Sequence, residues 1–252
     1  MRVLLQGDTH GNTNAIINAL HEARDRQCER VIQLGDYGYG WRVWEGRDKF
    51  TNKVSRWATE IGVPLWWIDG NHENFDLLEA KGAFGAFESK ELMPNVTYVP
   101  RGTVLELGGT RVLFVGGAYS VDKKWREPHR SWWPQEELTE EDVERCLAAG
   151  QVDVVLSHDV AHTGFRGALS LALDETDRNR VAELDHLVWK NDQSFPEAGP
   201  NRYRLERVLE SARPRDWYHG HYHVAYEVRV GGTTFHGLAH EDHPGSRAVV
   251  EF

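Results

Sequence analysis

An α/β fold is predicted by three features of the sequence. Short apolar runs stop abruptly at glycine or a small polar residue, amphipathic segments lie between them, and glycine pairs sit between extended segments in the second half. Apolar runs without polar alternation suit strands buried on both faces, as in a parallel sheet covered by helices. The first run, Val3 to Leu5, ends at Gln6-Gly7-Asp8. Asn12 or Thr13 then caps a helix whose apolar positions Ile16, Leu20 and Ala23 recur at spacings of four and three. Val31 to Leu34 stops at Gly35-Asp36, a helix is expected over 48–60, and Pro64 to Ile68 stops at Asp69-Gly70-Asn71.

The second half mixes strand signals. Thr103–Leu107 and Arg111–Val115 flank Gly108-Gly109 and read as a β-hairpin. Thr139 and Asp142 form a capping-box pattern that opens a helix running to about Ala149. Val152 to Leu156 is another buried strand, ending at Ser157-His158-Asp159. Asp216-Trp217-Tyr218 leads to Gly220-His221-Tyr222-His223, and Gly231-Gly232 turns a last hairpin. Residues 160–213 are polar, helical in pieces, and broken by Pro196, Gly199 and Pro200. With no repeat or linker, 1–252 reads as a single domain with 160–213 as an insertion or cap.

Composition narrows the function classes. The 252 residues include only two cysteines, Cys28 and Cys146, too few for a disulfide framework, which points to a reducing cytoplasm. The opening apolar run is three residues long, and no later stretch reaches the length of a spanning helix, so neither a signal segment nor a membrane role is expected. A formal charge of −10 argues against general nucleic-acid binding, which rewards basic surfaces. It leaves nucleotide substrates open, because bound cations reverse a local field. The G-x-G-x-x-G spacing of dinucleotide sites is absent around Gly7 and Gly11, and no G-x-S-x-G elbow supports a serine hydrolase.

The chemistry sits at the ends of the apolar runs. Gly7-Asp8-Thr9-His10, Gly35-Asp36, Gly70-Asn71-His72-Glu73, Ser157-His158 and Gly220-His221-Tyr222-His223 each follow such a run. Ligands of open α/β sheets bind at the carboxyl ends of strands, so these segments predict one shared site. Carboxylate, amide and imidazole without thiolate suit two divalent transition-metal ions, with Mn favoured and Fe, Zn, Co or Ni admissible. Such a pair clamps a phosphate and supplies a bridging hydroxide for in-line attack.

The ordered series D-x-H, GD, GNHE, a lone His and GHxH, spanning 8–223, resembles the calcineurin-like metallophosphoesterase superfamily, and the segment from Ser120 to Pro134 is similar to a loop of its small phage and bacterial members. The resemblance implies a four-layer α-β-β-α sandwich. It implies that Asp8, His10 and His223 hold one ion, that Asn71, His158 and His221 hold the other, and that Asp36 bridges them. It also implies that His72 contacts the phosphate and protonates the leaving oxygen, with Glu73 supporting the loop or the ligands.

The second motif departs from the family. Where Ser/Thr protein phosphatases carry GDYVDRG, this chain has Gly35-Asp36-Tyr37-Gly38-Tyr39-Gly40-Trp41, so the second Asp is Tyr39 and the Arg is Gly40. Loss of a guanidinium fork weakens recognition of a dianionic monoester, although Arg42 lies nearby. A diester needs that fork less, and Tyr37, Tyr39, Trp41 and Tyr222 are candidates for stacking on a base. The expected function is therefore a phosphodiesterase acting on nucleotides or cyclic nucleotides, with Asn71, His72, Tyr39, Arg42 and Tyr222 as substrate contacts. The alternatives are a phosphomonoesterase and a catalytically silent metal-stabilised scaffold. The loop from Ser120 to Pro134 is expected to overhang the cleft; its Asp122, Arg126 and Arg130 are candidates for binding substrate but read first as solvated charges. Asp159 either orients His158 or starts a turn. The remaining histidines read as surface or core residues, with His240 the one best placed to approach the metals.

Overall fold

The computed structural model describes residues 1–40, 43–44, 47–174 and 196–252. Two six-stranded sheets face one another. The first has the order β14 (Arg247–Glu251), β1 (Arg2–Gln6), β2 (Arg30–Leu34), β5 (Leu65–Ile68), β7 (Val96–Tyr98), β6 (Lys90–Met93). The second has the order β12 (Tyr226–Val230), β13 (Thr233–Gly237), β11 (Asp216–His219), β10 (Val154–Ser157), β9 (Thr110–Val115), β8 (Thr103–Leu107). A short pair, β3 (Val43–Trp44) and β4 (Arg47–Asp48), stands apart. Within the sheets β1, β2, β5 and β7 pair parallel, as do β9, β10, β11 and β13.

Side-chain alternation builds the layers. Val3, Leu5, Ile32, Leu34, Val112, Phe114, Val154 and Leu156 form the core between the sheets. Their neighbours point outward: Leu4 and Val31 meet α1 (Thr13–Asp25) and α2 (Lys49–Ile61), while Leu113 and Val155 meet α5 (His162–Asp174) and α6 (Gly199–Ala212). Both faces of the central strands are thus dry, which is why their sequences are continuous apolar runs rather than alternating ones. The result is the four-layer α-β-β-α sandwich, completed by α3 (Phe75–Ala80) on one side and α4 (Glu140–Ala148) on the other.

Helix starts follow capping chemistry. Asn12 accepts hydrogen bonds from the backbone amides of Asn14 and Ala15, Asp48 does the same for Phe50 and Thr51, and Thr139 and Asp142 form a reciprocal capping box. The helix expected over 48–60 is Lys49–Ile61, and the strand expected from Val152 is Val154–Ser157. Gly108 and Gly109 both have positive φ, as a two-residue hairpin turn requires. Strands β6, β7 and β14 were not anticipated. β14 pairs with β1 in the register Arg2↔Glu251, a partner so distant in sequence that no local pattern announces it. Of the expected cap over 160–213, the ends form α5 and α6, whose Phe165, Ala168, Leu205 and Val208 pack with Leu113, Val155 and Trp217. Residues 175–195 lie outside the described residues.

One buried ion network ties the layers together. Arg101, after β7, donates to Asp69 at 2.7 and 2.9 Å and to Asp142 at 3.0 Å. It also donates to the carbonyls of Gln135, Glu136 and Glu137. Asp69 accepts the Tyr98 hydroxyl at 2.7 Å as well. Arg101 therefore joins the loop after β5 to the start of α4, with its donors spread over carboxylates and carbonyls as a buried guanidinium requires.

Candidate metal centre

The carboxyl ends of β1, β2, β5, β10 and β11 converge. Several of the residues there hold backbone conformations that L-amino acids avoid: φ is +46° at His10, +49° at Asp36, +65° at His221 and +59° at His223. Such positions cost on the order of 1–3 kcal/mol each and persist where the surroundings over-determine them, as at functional sites. Gly70 permits the close approach: a Cβ there would collide with the Asp36 carboxylate and come within 2.8 Å of His158 Nε2.

Asp36 lies at the middle. Its Oδ1 accepts the backbone N–H groups of Asn71 and His72, both at 3.0 Å, and lies 3.3 Å from His158 Nε2. Its Oδ2 lies 3.4 Å from His10 Nε2. On the His10 side, Asp8 Oδ2 is 3.0 Å from His223 Nε2 and 3.9 Å from His10 Nε2, while Asp8 Oδ1 accepts the His221 amide at 2.9 Å. Ligand-type atoms of Asp8, His10, Asp36 and His223 all lie within 4.8 Å of one another. On the other side, His158 Nε2 is 3.1 Å from Asn71 Oδ1, and the His158 and His221 rings are 5.1 Å apart. The seven residues thus form two adjoining sets with Asp36 between them.

This donor set fits a pair of cations. Asp8 and Asp36 are almost wholly buried, and the charged partners recorded for them among the described residues are histidines. Burial by itself would push His158 down, yet the carboxylates of Asp36 and Asp8 raise it to about 10, a measure of how strongly the pocket favours positive charge. His158 Nδ1 lies 2.7 Å from the Leu34 carbonyl, the contact that presents Nε2 to the site.

Supporting groups fix the clustered side chains. Glu73, fully buried, accepts the amides of Tyr37 (2.7 Å), Gly38 (3.3 Å) and Gly70 (3.2 Å), binding the second motif loop to the third. Asn71 Nδ2 donates to Ser120 Oγ at 3.0 Å, and Ser120 donates in turn to buried Glu136. That relay turns Asn71 Oδ1 toward His158. Sequence reasoning missed the roles of Ser120 and Glu136; the only signal for Glu136 was an acidic residue two positions after the Trp132-Trp133-Pro134 run. Replacing Ser120 with alanine is expected to weaken occupancy of the Asn71 side by about 10- to 100-fold, the usual effect of losing a ligand's hydrogen-bond partner. Metal titration followed by calorimetry measures it, and unchanged affinity would contradict the relay.

Other expectations are corrected. Tyr39 is 4% exposed and packs on Trp67 at 5.5 Å, and Tyr37 stacks on the same indole at 4.8 Å. Tyr222 is 1% exposed, with its hydroxyl donating to Asp159 at 2.6 Å. Their ring faces are covered by protein, so none of the three is a platform for a base. Arg42 and Trp41 lie outside the described residues. Asp159 lies in the bend after β10, where it joins Tyr222 to Asn201 Nδ2 of α6, at 2.8 Å, and accepts the Val160 amide. His240 does approach the centre, its ring 4.6 Å from that of His223 and 6.4 Å from that of His10. His219 is a buried histidine beside the Tyr226 hydroxyl, at 2.5 Å.

His72 stands beside the cluster, its ring 5.8 Å from that of His10. Burial pushes its imidazole down to about 4, with Asp36 opposing and Arg126 adding to the shift, so near neutral pH the ring is uncharged. Arg126, read from sequence as a solvated charge, instead lies against this ring, with Nη2 2.6 Å from Nδ1 and 2.7 Å from Nε2.

A sandwich of two sheets with a paired carboxylate–imidazole cluster at its strand ends defines a metal-dependent hydrolase scaffold. The chain belongs to the calcineurin-like phosphoesterase family, whose signature it matches over residues 1–225. A search of curated protein sequences returns no match. Among solved structures, the chain is similar to a dimetal phosphatase from Danio rerio at 14% identity, covering 95% of this chain and 87% of that one with a TM-score of 0.55. A Thermus thermophilus protein aligns at 11% identity over 95% of this chain and 89% of that one, TM-score 0.51. A Staphylococcus aureus protein assigned as a 5′-nucleotidase aligns at 15% identity over 99% of this chain and 50% of that one, TM-score 0.54. At such identities the likeness concerns the fold.

Proposed function

We propose that the chain is a dinuclear metal-dependent phosphodiesterase acting on nucleotides or cyclic nucleotides. Asp8, His10 and His223 hold one ion, Asn71, His158 and His221 hold the second, and Asp36 serves both. The observation that carries this reading is the position of the Asp36 carboxylate between His10 and His158, at 3.4 and 3.3 Å. The oxygen and nitrogen donor set favours manganese, with iron, zinc, cobalt or nickel admissible. When bound, the ions supply charge neutralisation at the phosphate and activation of water.

The chain's own residues account for the rest. His72 is the group for proton transfer to the leaving oxygen: a bound anion beside it favours the protonated form that burial alone disfavours. The diester preference rests on the second motif. Gly40 has φ +72°, and a Cβ there would meet Leu77 of α3 and its N-cap Asn74, both at 2.7 Å, so this loop has no room for the arginine that the family's protein phosphatases place there. Tyr39, buried on Trp67, offers His72 no carboxylate. With Tyr37, Tyr39 and Tyr222 covered, stacking on a base falls to the loop over 119–133, where Trp125 is 70% exposed and Tyr119 and Trp132 are partly exposed. No described helix is long and apolar enough to cross a membrane, and two buried unbridged cysteines suit a cytoplasmic setting.

The test is hydrolysis by chelator-stripped protein with Mn²⁺ restored, comparing bis(p-nitrophenyl) phosphate with p-nitrophenyl phosphate. Metal-dependent cleavage with the diester preferred is expected; the opposite preference makes the protein a phosphomonoesterase, and no turnover of either makes it a binding scaffold. In the same assay His72→Ala should lower kcat by about 10²- to 10⁴-fold, the range for a lost acid–base group. Both ions should remain bound, and loss of metal on this change would contradict the assignment.

A further inference from the structure

The second motif leaves the family's phosphate-gripping position without a guanidinium, and no side chain fits at Gly40. A guanidinium is nevertheless present, delivered by a different loop. Arg126 follows a short helical turn, Lys123–Trp125, and its side chain is 9% exposed. Nε donates to Asp122 at 2.8 Å, and Nη1 donates to the Ser131 carbonyl at 3.1 Å and lies 3.5 Å from the Asn71 carbonyl. Glu136 Oε1 lies 3.6 Å from Nη1. These ties carry the fork over the third motif and leave Nη2 against His72.

The contact with His72 is not a directed hydrogen bond. Nη2 is nearly equidistant from both ring nitrogens, so it cannot lie in line with either lone pair. A guanidinium lying across the ring makes no directed bond there, whereas a phosphate oxygen arriving beside His72 can accept from Nη2 as a charge-assisted bond.

We propose that Arg126 is a substrate-binding residue that grips a non-bridging oxygen of the substrate phosphate beside His72, taking the part left open at Gly40. This rests on the phosphoester reading above. A single remaining Nη2 arm serves the singly charged phosphate of a diester, while a monoester's second charge is met less fully than by a free fork.

Inorganic phosphate binding to the Mn²⁺-loaded protein, measured by calorimetry, is the test, alongside metal content and thermal midpoint. Arg126→Met keeps the apolar stem and removes the charge; it should weaken phosphate binding on the order of 10- to 100-fold, as for a lost charged hydrogen bond, with two ions still bound. Arg126→Lys should recover most of the affinity, because it restores the charge without the loop ties. If Arg126→Met binds phosphate as wild type does while its thermal midpoint falls, Arg126 only anchors the loop and the proposal is overturned. The same holds if Lys binds no better than Met. Wild-type protein that binds no phosphate overturns the phosphoester reading itself, and this assignment with it.

Discussion

Asp36→Asn is expected to lower turnover on the order of 10³-fold and to strip at least one ion from the protein. The asparagine keeps the shape of the side chain, and its oxygen can still accept the Asn71 and His72 amides that Asp36 Oδ1 accepts at 3.0 Å. What then faces His10 is an NH₂ group, which donates and carries no charge. On the proposed assignment the substitution removes a ligand atom from the His10 side and the shared negative charge from both sides, while the third-motif loop stays in place. Losing a ligand's supporting partner typically costs about 10- to 100-fold, so losing a group shared by both ions should cost on the order of 10³-fold in rate. Metal analysis together with diester hydrolysis measures the effect. Two ions and a full rate in Asp36→Asn would refute the bridging role.

Arg101→Met should be the most destabilising single change away from the metals. Arg101 is 2% exposed and pairs with two carboxylates, Asp69 and Asp142, both of which the substitution leaves buried. Breaking a buried pair in this way costs about 3–5 kcal/mol, read as a lower urea midpoint at pH 7. The effect has a pH signature through Asp142. Burial would raise its carboxyl, but Arg101, the Thr139 cap and Arg145 outweigh that and lower it to about 2. A depressed carboxylate stabilises the fold above its unfolded value, near 4, and loses that contribution as the pH falls toward 2. The gap between wild type and Arg101→Met should thus be full at neutral pH and narrow between about pH 4 and 2. A gap below about 1 kcal/mol, or one that does not change with pH, would contradict the network's role.

The consequences reach the metal centre. Asp69 directly precedes Gly70-Asn71, and Arg101 also holds the Gln135, Glu136 and Glu137 carbonyls, so the staple positions both Asn71 and the Glu136 that supports Ser120. Some loss of metal affinity should accompany the loss of stability.

What the sequence reveals follows from how local the determinants are. Asp8, Asp36, Asn71, His158, His221 and His223 each lie a few residues past the end of a buried strand, so apolar run, turn and ligand-type side chain are read in one short window. The hairpin at Gly108-Gly109 and the capping box at Thr139 are equally local. Arg126, Ser120 and Glu136 are different, because their place over Asn71 and His72 depends on the course of the long loop between β9 and α4. Tyr39 and Tyr222 stand next to motif residues and so invite a role in stacking, yet Trp67 and Asp159, which draw them inward, come from distant segments. β14 was hidden for the same reason: half-exposed and at a sheet edge, it is a strand because β1 is there to pair with it.

The central claim is that two ions held around Asp36 make this chain a phosphoesterase. Titration of chelator-stripped protein with Mn²⁺, with bound metal counted and bis(p-nitrophenyl) phosphate hydrolysis recorded on the same samples, tests it most directly. The account predicts that the rate rises only as the second equivalent binds and levels off at two ions per chain. Saturation at a single ion with full activity, or hydrolysis by the metal-free protein, would contradict it.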